Sequence, residues 1–381
     1  MKHDYEVIIV GAGPAGATLA YELAQKGIRV LLIEKDTLPR YKCCAGGVSV
    51  RAAKLLGLDI HKLAEDTVCH ATISFKGSSQ YNGYYDQPLM YTVMRDKFDY
   101  ALVRRAEEAG AVIAQGQEVK QIQFGPKWLE VSTPYIDFRT QYVAGADGAH
   151  SVVARESGLK NSTSYITAIE TEVQVTEEEL SRWRSQVVID LGWIPGGYAW
   201  VFPKLDHLSI GIACLSSKAK GLKTRYWKFL DSLNITHHTI ERWESSLIPM
   251  CGGKAAVCRD RVALLGDAVG LIDPLTGEGI HNAVWSAQLA APVIEDSLLH
   301  GEVRLQNYQK AIDEKIIPEI RIARVLSRMF VRFPSLVFKM LNRDERIWRG
   351  CCYLLRQEID YSTIKQRVGG FKGIYSLLVR K

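Results

Sequence analysis

Glu6-Val7-Ile8-Ile9-Val10-Gly11-Ala12-Gly13-Pro14-Ala15-Gly16, with Val30-Leu31-Leu32-Ile33-Glu34 downstream, decides the fold. An apolar run of strand type enters a glycine turn, the segment Thr18 to Gln25 reads as an Ala-rich helix, and a second apolar strand ends on an acid. Each position has a physical task in a unit that binds a dinucleotide. Gly11 permits the tight turn, Gly13 lets the backbone approach a pyrophosphate, Gly16 lets the helix pack on the strand, and Glu34 accepts from a ribose hydroxyl. A Gly-x-Gly-x-x-Gly alone carries little weight. Here it has the strand before it and the helix, strand and acid after it that the fingerprint requires.

At 381 residues the chain exceeds one ordinary core, so two lobes and a helical tail are expected. Hydrophobic residues at 47% and charged residues at 24% fit a compact globular protein and exclude a disordered or fibrous class. No run of about 18 apolar residues occurs, and Lys2-His3-Asp4 leads straight into the first strand, which predicts a chain neither secreted nor membrane-spanning. Its eight cysteines are then expected as reduced thiols in the cytoplasm, the adjacent pairs Cys43-Cys44 and Cys351-Cys352 included. No C-x-x-C spacing marks a zinc or redox site, and no metal is expected. The net charge of +6 is uneven: residues 301–381 hold 17 Lys/Arg against 8 Asp/Glu, so the basic character belongs to the tail. Such a tail suits phosphate groups or an anionic membrane surface. Without a helix-turn-helix, zinc finger or aromatic RNA platform, nucleic acid is not an expected partner.

Residues 1–70, 93–158 and 256–300 read as a discontinuous nucleotide-binding domain, 71–92 and 159–255 as a mostly antiparallel substrate domain, and 301–381 as a basic helical region. Within the first, Arg95 opens a predicted helix that runs through Arg105 and ends near Gly110, and Val112–Ala114, Val119–Ile122 and Trp128–Val131 predict strands. Arg261 to Asp267 reads as a buried strand ahead of a helix from about Ile280 to Leu299. Within the second, the runs Gln186–Asp190, Tyr198–Phe202 and Leu208–Ile212 alternate or are β-branched, as strands do.

Three separated pieces converge on one cofactor: Gly11 to Gly16 with Glu34; Gly145-Ala146-Asp147-Gly148-Ala149-His150-Ser151; and Gly266-Asp267-Ala268 followed by Asp273-Pro274 and Gly277-Glu278-Gly279-Ile280. Together they resemble the FAD-binding pattern of the flavoprotein hydroxylase fold, an α/β architecture with a Rossmann-like FAD domain, an antiparallel β-sheet substrate domain and a C-terminal helical tail. Within that fold the chain is most similar to the geranylgeranyl reductase family. The loop Pro39-Arg40-Tyr41-Lys42-Cys43-Cys44-Ala45-Gly46-Gly47 is close to that family's Lys, any residue, Cys, then glycines. Tyr198-Ala199-Trp200-Val201-Phe202-Pro203 matches its Tyr-x-Trp-x-Phe-Pro strand at every fixed position. Ala45 departs from the pattern, standing where the family commonly has the first glycine, and its methyl restricts how closely the loop approaches the isoalloxazine.

The resemblance covers residues 1 to about 300. It implies flavin contacts at Ala15, Glu34, Cys44, Ala45, Gly47, Arg95, Val119, Asp267, Gly279 and Ile280. In that arrangement Asp267 holds a ribityl hydroxyl, and the amides of Gly279 and Ile280 face the pyrimidine edge of the flavin. Arg95, at a helix start, suits a clamp on pyrophosphate oxygens. Tyr198, Trp200 and Phe202 share one face of their strand and would line a prenyl-chain tunnel, or else form ordinary core.

The implied activity is an FAD-dependent reductase that saturates double bonds of a geranylgeranyl chain on an isoprenoid diphosphate or a prenyl-ether lipid. Cys44 is then either a proton donor or only a loop contact, and His150 and His281 rank below it. The electron donor stays open between ferredoxin and NAD(P)H. An FAD monooxygenase of the same fold is the alternative enzyme, and a lipid-binding flavoprotein the alternative without catalysis. Arg321, Arg324, Arg328 and Arg332 fall on one helical stripe, read either as a solvated face or as a peripheral contact with membrane phosphates.

Overall fold

The computed structural model describes residues 3–77, 79–159, 162–301 and 304–367. Five parallel strands form the centre of its eight-stranded first sheet, the inner ones apolar on both faces. In spatial order they are Val262–Leu264, Asp137–Gly145, His3–Val10, Val30–Glu34 and Val112–Gln115. Register does the positioning. Val10 lies level with Gly145 on one side and Ile33 on the other, and Gly145 lies level with Leu264. Gly11, Glu34, Ala146 and Leu265 therefore leave the sheet at the same carboxyl edge, where ligands bind in such folds.

The first helix runs Pro14–Ala24, starting before the expected Thr18 because Gly13 caps it and Pro14 fits its first turn. Arg95–Glu108 and Ile280–His300 form helices where the sequence reading placed them. The strand expected at Val119 begins instead at Gln121, and Val119 packs into the core ahead of it.

A second sheet orders the strands His238–Cys251, Ser162–Val175, His207–Leu215, Gly197–Pro203, Gln186–Leu191, His70–Phe75 and Ser79–Tyr84. All its pairs are antiparallel except Gln186–Leu191 with His70–Phe75. Alternation splits Gly197–Pro203 between two cores. Ala199 and Val201 pack under the helix Leu222–Ser232, whereas Tyr198, Trp200 and Phe202 join Ala168, Ala213 and Ile248 on the opposite face. A small sheet of Gly47–Ser49, Met90–Val93 and Ala64–Val68 adjoins the glycine loop.

The tail is helical over Gln306–Lys315, Ile317–Arg332, Pro334–Arg343, Glu345–Leu355 and Tyr361–Arg367, while its residues 368–381 lie outside the described residues. Trp348 docks it on the second sheet, seated over Gly83, where any Cβ would come within 2.4 Å of the indole, and donating to the Tyr84 carbonyl at 2.9 Å. The arginine stripe is partly consumed by the fold. Arg321 donates to the Gly253 carbonyl at 2.7 Å and Arg324 to the Gly252 carbonyl at 2.6 Å, so these two hold a turn.

Candidate flavin site

The three motifs meet as backbone against backbone. A Cβ on Gly11 would lie 2.5 Å from the Ala146 carbonyl oxygen, one on Gly16 would lie 1.9 Å from the Gly11 oxygen, and one on Gly266 would touch Ala15 at 3.5 Å. Gly11 also needs its positive φ of 99°. Above Gly13 a Cβ would meet nothing within 4 Å, so the approach to the start of the first helix is open. That helix start has no side-chain cap and no acid in its first turn, which leaves amide donors for phosphate oxygens.

Glu34 fixes the turn: its carboxylate accepts from the Ala12 amide at 2.9 Å. From it runs a line of alternating charges that sequence reading missed. Arg40 lies 3.5 Å from Glu34 and donates to Asp99 at 2.8 Å, and Asp99 takes a two-pronged grip from Arg95 at 2.8 and 2.9 Å. Asp99 is fully buried, which is tolerable for a carboxylate only because two guanidinium groups face it. Burial works against the charge of Arg95, but Asp99 and the facing Cys44 outweigh it and the guanidinium stays charged. Asp99 follows Arg95 by one helical turn, the spacing that could have revealed the pair. With Arg95 already gripped by Asp99, its contact with Cys44 gives it a place at the loop beyond the phosphate clamp proposed from sequence.

The adjacent cysteines diverge. Cys43 donates to Glu170 at 3.2 Å, and Glu170 also accepts from Ser209 at 2.8 Å. Burial, then the neighbouring Glu170, pushes the Cys43 thiol up, and burial raises the Glu170 carboxyl as well. Cys44 turns the other way, toward Arg95, and accepts from the Gly46 amide at 3.3 Å. Lys204, also unforeseen, pins this loop from behind by donating to the Ala45 and Val93 carbonyls at 2.7 and 2.8 Å. Its burial lowers its affinity for a proton. Ala45 and Gly47 then rest against the aromatic strand: Ala45 packs in the cluster around Trp200, and a Cβ on Gly47 would meet Phe202 at 2.8 Å.

Asp267 stands on the far side. Its carboxylate has no hydrogen-bond donor among the described residues, and burial holds its carboxyl up despite Lys42 and Arg95 nearby. Gly279 is its neighbour, with an ideal Cβ 3.3 Å from the Asp267 oxygen. The Ile280–His300 helix begins there without a side-chain cap. An unpartnered acid beside free helix-start amides fits a polyhydroxyl chain ending in a ring edge that gathers negative charge. His281 is buried, and burial followed by Arg51 lowers its proton affinity, so it is a neutral imidazole.

The aromatic face completes the site. Trp200 lies over Gly211, where a Cβ would come within 2.1 Å of its ring. Its indole N–H has no acceptor among the described residues. Tyr198 reaches the Thr276 carbonyl at 3.5 Å, and burial, then Asp273 and Cys44, pushes its phenol up to about 12.

Comparison with known proteins shows the family, the fold and the cofactor. An FAD binding domain family matches residues 4–244. Digeranylgeranylglycerophospholipid reductase 1 of Methanococcoides burtonii is 30% identical over 81% of this chain and 80% of its own length. The crystal structure of a geranylgeranyl bacteriochlorophyll reductase-like protein from Thermoplasma acidophilum superposes with a TM-score of 0.79 at 24% identity, covering 87% of this chain and 88% of that one. The halogenase PltM, solved with phloroglucinol and FAD, shares the fold at 18% identity and a TM-score of 0.71, covering 86% of this chain and 76% of that one.

Proposed function

From the premise that the chain belongs to the geranylgeranyl reductase family and carries an FAD binding domain, we propose that it saturates carbon–carbon double bonds of a geranylgeranyl chain on an isoprenoid diphosphate or a prenyl-ether lipid. FAD is its cofactor and the chain is an oxidoreductase. The observation that carries the substrate reading is the apolar face of Ile166, Ala168, Ile189, Tyr198, Trp200 and Phe202 packed directly against Ala45 of the loop. A hydrocarbon chain needs such a wall, whose polar atoms are limited to the Trp200 indole N–H and the Tyr198 hydroxyl.

Gly11, Gly13, Ala15 and Gly16 admit the pyrophosphate, Glu34 the ribose, Asp267 the ribityl chain, and Gly279 and Ile280 the ring edge. Cys44, Ala45, Gly47, Arg95 and Val119 complete the contacts. When bound and reduced by the external donor, the flavin would supply the hydride for one alkene carbon. The chain's own residues dry and orient the hydrocarbon along Trp200, hold the loop in place through Lys204, and present the Cys44 thiol as proton donor to the second carbon, with Arg95 facing the sulfur.

Access to so apolar a substrate is through a peripheral membrane contact. Phe333 and Leu336, both 47% exposed, sit among the exposed cations Arg332, Lys339 and Arg343. No helix among the described residues is long and apolar enough to cross a membrane. The electron donor is a ferredoxin or NAD(P)H. Anaerobic incubation of the dithionite-reduced protein with geranylgeranyl lipids, followed by mass spectrometry, tests the reading through a gain of two mass units per bond.

A further inference from the structure

We propose that Tyr361, on the tail helix Tyr361–Arg367, is a positioning residue for the flavin site: it latches the loop Asp273 to Gly279 that leads into the Ile280–His300 helix. The inference rests on FAD binding at that helix start and is independent of which substrate is reduced.

The latch is a buried network drawn from four separate parts of the chain. The Tyr361 hydroxyl donates to Asp273 Oδ2 at 2.7 Å, and its backbone amide donates to Glu319 on the helix Ile317–Arg332 at 2.9 Å. The other oxygen of Asp273 accepts the amides of Leu275 and Thr276 at 2.8 and 3.2 Å, which shapes the loop from within. Arg51 bridges Asp273 at 3.1 Å and Glu278 at 2.9 Å, and Ser49 donates to the remaining Glu278 oxygen at 2.5 Å. Arg51, Asp273 and Tyr361 are all buried, Tyr361 at 1% exposure.

One guanidinium thus faces two carboxylates, and the phenol supplies the remaining donor to Asp273. A buried carboxylate stripped of a donor is costly, so the hydroxyl has energetic leverage on the loop. Burial, then Asp273, holds the phenol well above its usual range, so it remains a donor. The loop it grips is short. The Asp273 amide donates to the Glu278 carbonyl at 3.0 Å, and Gly279 follows immediately as the cap of the helix whose first amides are proposed to face the cofactor. From the opposite side Tyr198 of the aromatic face contacts Thr276 of the same loop. Tail, cofactor edge and substrate wall therefore share one turn of chain.

Tyr361→Phe removes only the hydroxyl and keeps the ring packed against Ile322, Ala323 and Leu354, so the fold is retained. With no alkene present, the account expects FAD to bind roughly tenfold or more weakly, the flavin midpoint potential to move to a more negative value, and the amides of residues 275–280 to exchange hydrogen faster. The potential falls because looser amides at the ring edge stabilise the reduced, negatively charged form less. Unchanged affinity and potential would overturn the proposal. So would a lowered melting temperature with an unchanged potential, because that outcome assigns Tyr361 to packing alone. If the prenyl reading fails while these shifts appear, the latch stands.

Discussion

At the scale of single residues, the glycines and acids of the nucleotide fingerprint were legible because their tasks are set by backbone geometry within a few residues. Gly11, Gly16 and Gly266 stand where a Cβ would strike backbone or a neighbouring alanine. Of the groups that went unseen, Asp99 stands one helical turn from Arg95, whereas Lys204, Glu170 and Tyr361 act on partners far away in sequence, and no local pattern announces such pairs. Cys44 divides the two kinds. Its motif was readable, but its orientation toward Arg95, opposite to that of Cys43 toward Glu170, required the structure. Cys44→Ser is expected to keep FAD and to slow alkene reduction by about a hundredfold or more, the scale of a lost acid–base group. Single-turnover measurement on pre-reduced protein checks this, and an unchanged rate would make Cys44 a loop contact only.

Among elements, the strand Gly197–Pro203 is the one proposed to line the prenyl chain. Strict alternation made its aromatic face readable from sequence, and that face does gather Tyr198, Trp200 and Phe202 together. What sequence could not supply was the seat: Gly211, on the neighbouring strand and directly opposite Trp200, leaves room for the indole to lie flat. Trp200→Ala is expected to weaken binding of a geranylgeranyl substrate by roughly 3 kcal/mol, as for truncation of a buried aromatic, and a geranyl substrate by clearly less. Equal losses, measured by titration of the two chain lengths, would return this face to ordinary packing.

For the whole molecule, the tail was legible as basic and helical but not as a strap. It reaches from Trp348 over Gly83 of the second sheet to Tyr361 against Asp273, at the edge proposed for the flavin. The arginine stripe shows why charge pattern alone misleads: Arg321 and Arg324 serve the turn at Gly252 and Gly253, and the exposed apolar pair Phe333 and Leu336 lies further along. Wild-type protein is expected to float with anionic vesicles at low salt and to be released as salt screens the charges, each cation contributing about 1 kcal/mol. Reversal of Arg332 and Arg343 to Glu should reduce flotation, and equal flotation of both proteins would remove this surface from substrate delivery.

The central claim is that this site reduces alkenes on a prenyl chain, and the mass of the product tests it most directly. Reduced protein held under strict anaerobiosis with a geranylgeranyl lipid or diphosphate should yield products heavier by two mass units for each bond saturated, with no gain when reductant is omitted. Unaltered substrate under those conditions, with a gain of sixteen mass units once oxygen is admitted, would contradict the account and assign the same pocket to oxygenation.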